Sequence, residues 1–182
     1  MTAFLLSFAG NVAALPVLAA NAAGYGVLSL VPDSDGVVRR APLFVTVGNK
    51  VAPTIDAEAL RVAQGASTYI IKSTNASGEA SFGSAGGVVG VRIGALAVPT
   101  DRKGRMWIRY ARESAPSVAA WQLLAGATDP QALAGQIVLL GSTAAGLSHP
   151  QSTPLTGAAP ALAIHGQILE TLISENFLYR PD

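Results

Sequence analysis

The 182 residues carry a formal net charge of +1, half of them are apolar, and only 13% are charged against about 25% in a typical soluble domain. That length suits one domain with a real core, and the basic residues form no run beyond the short cluster Arg102, Lys103 and Arg105, which argues against nucleic-acid binding driven by counterion release. The absence of cysteine excludes disulfides, thiolate chemistry and the usual structural zinc sites.

Residues 1–32 contain no charged side chain. No Lys or Arg precedes the apolar stretch as a signal peptide requires, and Asn11, Pro16 and Asn21 interrupt it, which speaks against a bilayer span. The pattern predicts a buried helix over 3–9 and a buried strand over 12–18. Val27 to Val31 and Val37 to Val47 are β-branched runs separated by Asp33-Ser34-Asp35-Gly36, so a hairpin is expected, with Pro42 marking an edge or a bulge. Thr54 to Gln64 places Ile55, Ala59, Leu60 and Ala63 at helical spacing, and Gly65 stops the helix.

Ser73 to Gly90 is rich in Ser, Gly and Ala and reads as a loop. Strands are expected at 88–93 and 106–110, with Asp101 to Gly104 turning into the second. Ser117 is placed to cap a helix ending at Leu124, and Asp129-Pro130 starts a short helix that Gly135 ends. Ile137 to Leu140 is a continuous apolar run, the pattern of a strand covered on both faces. Ile164, Ile168, Leu169, Leu172 and Ile173 form one stripe on a closing helix. Together these elements predict an α/β fold: one domain with a mixed sheet flanked by helices.

Gly141-Ser142-Thr143-Ala144-Ala145-Gly146 follows the expected buried strand, where α/β proteins present backbone N–H groups to an anion. A nucleotide phosphate loop requires Lys after its second Gly; Leu147 stands there, so a strand-exit turn is the competing explanation. Asp33-Ser34-Asp35-Gly36 lacks the later ligands of a calcium loop and reads as a structural turn. Arg39 and Arg40 point to opposite faces of their strand, so at most one could face an interior site, leaving the other to solvent. His149 and His165 are the only histidines, too few for most catalytic zinc sites, and His165 suits a capping or core hydrogen bond. A hydrolase would need Ser142 or Ser148 as nucleophile, but the G-x-S-x-G elbow is absent. Trp107 and Trp121 lie in apolar periodic segments, which assigns both to core packing.

Five motifs in order complete the pattern: Asp33-x-Asp-Gly-Val-Val-Arg-Arg40, Pro99-x-Asp101 with its Gly104 turn, the run Ile137 to Gly146, Thr153-Pro154-Leu155, and His165 with its helix. Their order and spacing resemble the CHASE2 domain from about Gly24 onward. The resemblance implies a non-catalytic extracytoplasmic sensor of a bacterial receptor, anchored in the cytoplasmic membrane and leading to a cytoplasmic nucleotide cyclase, histidine kinase or Ser/Thr kinase. It also places the family's first strand and helix before Met1. One departure is His149, which stands near a position where the family commonly has Asp. The expected ligand-binding residues are Ser142, Thr143, Arg39, Arg40 and His149, for a small molecule whose identity the sequence does not give, with no cofactor and no metal. The rival reading is a structural domain that holds receptor chains together as a homodimer without a ligand.

Overall fold

The computed structural model describes residues 4–74, 86–112, 115–144, 146–147 and 149–179. Its strands form three small sheets. β1 (Leu6–Phe8) runs parallel to β3 (Phe44–Val47), which pairs antiparallel with β4 (Lys50–Pro53). β2 (Arg40–Pro42) pairs antiparallel with β8 (Arg105–Trp107). β5 (Tyr69–Ser73), β6 (Val88–Ile93) and β7 (Leu96–Val98) make an antiparallel meander. With helices α1 (Pro16–Ala19), α2 (Ile55–Ala63), α3 (Ala120–Leu124) and α4 (Ala161–Ile173), this is the expected α/β class.

One apolar cluster joins these pieces. Leu43, Phe44, Ile93, Met106, Ile108, Ile164, Ile168 and Leu172 are all buried in it, so β3, β6, β8 and α4 share a single core. Helix α2 contributes Ala57 and Leu60, carries Asp56 and Glu58 in its first turn and Arg61 in its last, and so opposes its own dipole at both ends. Gly65, at a φ of 61°, ends it as expected. The stripe on α4 is also present, although its last member, Ile173, is exposed.

Several expectations fail because strand partners are chosen by distant segments. In place of a helix over 3–9, Leu6–Phe8 is a strand, since β3 offers it a parallel edge; residue 3 lies outside the described residues. The expected buried strand over 12–18 is exposed, with Val12 fully so, and Pro16 starts the short helix α1 because its fixed φ and missing N–H suit a first helical turn. The 33–36 turn forms, closed by Gly36 N–H to the Asp33 carbonyl at 2.9 Å, but no hairpin follows it. Val38 N–H instead reaches the Ser152 carbonyl at 2.8 Å, and Val27 pairs with Thr54. Gly26 comes so near that helix start that a Cβ there would lie 2.3 Å from the Ile55 Cα. The run through Val47 divides at Leu43, with Pro42 closing β2 in a two-stranded sheet where it needs no second partner.

The second strand of the 101–104 turn is Arg105–Trp107, shorter than expected, and Gly104 takes a φ of 71° there. The loop over 73–90 falls largely on residues outside those described, and β4, β5 and β7 had not been expected. Ser117 does not cap α3, which starts at Ala120 while Gln122 Oε1 accepts from the Ala119 N–H at 3.2 Å. Asp129 does cap its short helix, accepting from the Gln131 N–H at 2.9 Å. Ile137 to Leu140 joins no strand among the described residues, and Val138 and Leu140 are exposed: apolar content set the expectation, and no neighbouring strand meets it. Trp121 is likewise exposed on α3, at 66%, rather than packed in the core, whereas Trp107 is half-buried. Among the described residues no helix is long and apolar enough to cross a membrane.

Candidate functional site

The turn chemistry around Asp33 builds an ion-pair clasp. Arg39 donates to both oxygens of Asp35, at 2.9 and 2.8 Å, and lies 3.6 Å from Asp33. Arg40 reaches Asp33 Oδ1 at 2.5 Å and Asp101 Oδ2 at 3.3 Å, with its guanidinium 5.1 Å over the Trp107 ring. Asp101 also accepts from the backbone N–H groups of Lys103 and Arg105 and from the Arg105 side chain, 2.7 Å away. The hydrogen bonds from Arg39 hold the Asp35 carboxyl down at about 2, against an ordinary 3.8. Both arginines therefore answer carboxylates of the chain itself, and both reach Asp33.

Ser142 and Thr143 lie elsewhere, exposed in the loop after Gly141. The Ser142 hydroxyl accepts from the Ala144 N–H at 3.3 Å, and Gly141 packs so closely on α4 that a Cβ would meet Leu162 at 3.1 Å. His149 is exposed, and its carbonyl accepts from Gln151 Nε2 at 3.4 Å. Ser148 falls outside the described residues. Ser152 pairs with Val37, which brings the segment after His149 alongside the strand leading to Arg39. Among the described residues the side-chain partners of Arg39 and Arg40 are Asp33, Asp35 and Asp101, not Ser142 or Thr143. Among the described residues no group of His, Asp and Glu side chains is arranged to hold a metal ion.

Among the described residues the most buried pair of ionisable side chains is between helices. His165 on α4 places Nδ1 3.0 Å from both carboxylate oxygens of Asp56 on α2, with His165 5% and Asp56 2% exposed. His165 thus makes the core hydrogen bond its position predicts. Its partner was missed, although Asp56 stands one turn before Leu60 on the buried face of α2, which is an unusual place for a carboxylate. Next to it, Glu58 accepts from Arg61 at 2.9 and 2.7 Å and from the Tyr69 hydroxyl. Arg61 holds the Glu58 carboxyl below its ordinary value, while burial and the neighbouring carboxylate push the Tyr69 phenol up.

Two further contacts fix α4. Gln167 Oε1 accepts from the Ala111 N–H at 2.6 Å, and Thr171 Oγ1 accepts from the Arg109 N–H at 3.2 Å. Four residues apart, these side chains lie on one face of α4 and take the place of a strand partner for the chain leaving β8. Tyr110 between them donates to the Val38 carbonyl at 2.8 Å, and burial pushes its phenol up to about 12.

The described residues form a mixed α/β body with helix α4 tied to it at defined points. The CHASE2 domain family matches residues 3–182, and the chain belongs to that family. CHASE2 domains are extracytoplasmic sensor domains of signalling receptors, not catalytic ones. No curated protein matches the chain, and neither does any solved structure.

Two outcomes follow for stability. Replacing His165 with Ala leaves the buried Asp56 carboxyl without a partner, which should cost about 3–5 kcal/mol in urea unfolding; a loss below about 1 kcal/mol would mean that the pair does not hold α2 to α4. Asp35 and Glu58 have depressed pKa values in the folded chain, so the unfolded chain binds more protons in acid. Their stabilisation is present above the ordinary values of 3.8 and 4.5 and is lost as pH falls through the folded-state values, about 2 for Asp35 and below the ordinary value for Glu58. Exposure screens the Asp35 pair, so Glu58 should dominate. The urea midpoint should fall on acidification, and Glu58→Gln should flatten that fall.

Proposed function

We propose that this chain is the input module of a membrane-anchored bacterial receptor. In this reading it lies on the periplasmic side of the cytoplasmic membrane, does no chemistry itself, and passes small-ligand occupancy to a cytoplasmic nucleotide cyclase or kinase. The observation that carries the reading is the way α4 is held. Asp56 grips it from α2, while the N–H groups of Arg109 and Ala111 grip it from the end of β8. β8 in turn pairs with β2, whose Arg40 belongs to the ion-pair clasp. A continuous path of directional contacts thus runs from the 33–36 turn to α4.

A ligand biases such an element only through unequal affinity for its two arrangements. Ser142 and Thr143 offer exposed hydroxyls in a loop seated on Leu162 of α4, and they are the proposed ligand contacts together with His149. Arg39 and Arg40 serve the same end by fixing the strand beside Ser152. The test is receptor output with Gln167→Ala, which loosens α4 without touching that loop. Basal output should shift at unchanged receptor level, and output identical to the parent in the presence and absence of stimulus would refute the role of α4.

A second reading, homodimerisation without a ligand, is favoured by one observation. Val118, Trp121, Leu123, Leu124, Val138 and Leu140 are all exposed, which is unusual for a monomer surface this poor in charge. Sedimentation of the chain distinguishes the two: a dimer that Trp121→Glu dissociates supports this interface, and a monomer at high concentration argues against it.

A further inference from the structure

A cleft lies at the α4 clamp itself. Arg109, Tyr110 and Ala111 form one wall, and Glu170, Thr171 and Ser174 at the end of α4 form the other, around a volume of about 260 Å³. That is just under the roughly 300–1,000 Å³ of sites for drug-sized ligands, so it suits a small metabolite. The charges here differ from those of the clasp. Arg109 and Glu170 are exposed on the two walls, and among the described residues neither side chain has an ion-pair or side-chain hydrogen-bond partner. These two opposite charges thus face one cleft without meeting each other.

We propose that this cleft binds a small zwitterion of the α-amino acid class, its carboxylate on the Arg109 guanidinium and its ammonium on the Glu170 carboxylate. The planar guanidinium fork matches a carboxylate with two parallel hydrogen bonds. The ammonium end lies at the C-terminus of α4, where the unmatched carbonyls of the last turn carry the negative end of the helix dipole. Ser174, the residue closing α4, adds a hydroxyl with no partner among the described residues, whereas the Thr171 hydroxyl is spent on the Arg109 N–H and the Gln167 carbonyl. Tyr110 is a fixed wall because its hydroxyl is bound to Val38. Since the walls are the two partners of the α4 clamp, an occupant that bridges them tightens the clamp. This assignment rests on the sensor reading for its biological meaning, but not for binding.

The test is calorimetric titration of the full chain with the twenty standard amino acids, followed for any binder by its N-acetyl and carboxamide derivatives. At least one amino acid should bind, and either derivative, lacking one charge, should bind about 10–100-fold more weakly. Arg109→Gln and Glu170→Gln, both exposed and so expected to fold as the parent does, should each weaken the amino acid to the same extent, and circular dichroism and the thermal midpoint check the fold. No binding by any amino acid overturns the proposal, as does binding that both variants retain. The same amino acids are then applied to the intact receptor. Binding without a change in output upholds the cleft and overturns the sensor reading; output that follows a compound Arg109→Gln still senses, with no amino acid bound, overturns the cleft and leaves the sensor reading standing.

Discussion

Asp56 and His165, 109 residues apart in the chain, meet in the core and tie helix α2 to helix α4. Around them Ala57, Leu60, Ile164 and Ile168 supply apolar area, which drives the helices together without fixing how far one slides along the other. A hydrogen bond from an imidazole to both oxygens of a carboxyl has a narrow range of acceptable geometry, so it sets that register. Losing it would leave a desolvated polar group with no compensation. The same helix α2 takes its first N–H contacts from outside itself, Thr54 N–H to the Leu43 carbonyl and Ile55 N–H to Val27, so α4 is coupled through α2 to the chain between β2 and β3.

Charge is scarce in this chain, and part of it is used internally. Three arginines and three aspartates close the clasp around the 33–36 and 101–104 turns, and Glu58 is shared between Arg61 and Tyr69. Such networks hold loops that have too little apolar area to hold themselves, which explains why two turns far apart in sequence can serve as one rigid corner. What remains at the surface is informative in proportion to its rarity. Six exposed apolar residues lie on the 118–140 segment, and Arg109 and Glu170 line one cleft beside the end of α4. These are the places where the molecule has unspent capacity for contact.

The motif order carried the family assignment, and with it the sensor class, because each motif is a local solution that the backbone requires. Asp33 to Gly36 and Asp101 to Gly104 are turns whose glycines take positive φ, and no other residue type does so as cheaply. The candidate site was legible only in part. Arg39 and Arg40 were visible as cations in the right strand, yet their partners Asp33 and Asp101 could be assigned only once β2 and β8 were seen to pair. Asp56 was hidden because an acid in the first turn of a helix already has an ordinary explanation in the dipole.

By itself the sequence determined what depends on neighbours along the chain: the α/β class, helices α2 and α4 with their apolar stripes, and the glycine-closed turns. Tertiary structure alone decided what depends on which segment comes to lie beside which. Leu6–Phe8 is a strand because β3 presents a free edge, Val38 pairs with Ser152 rather than across its own turn, and Ile137 to Leu140 stays without a strand partner among the described residues despite its composition. Side-chain periodicity reports which face is to be buried, but a backbone hydrogen bond requires a particular partner. That choice is made over distances in sequence at which local preference carries no information.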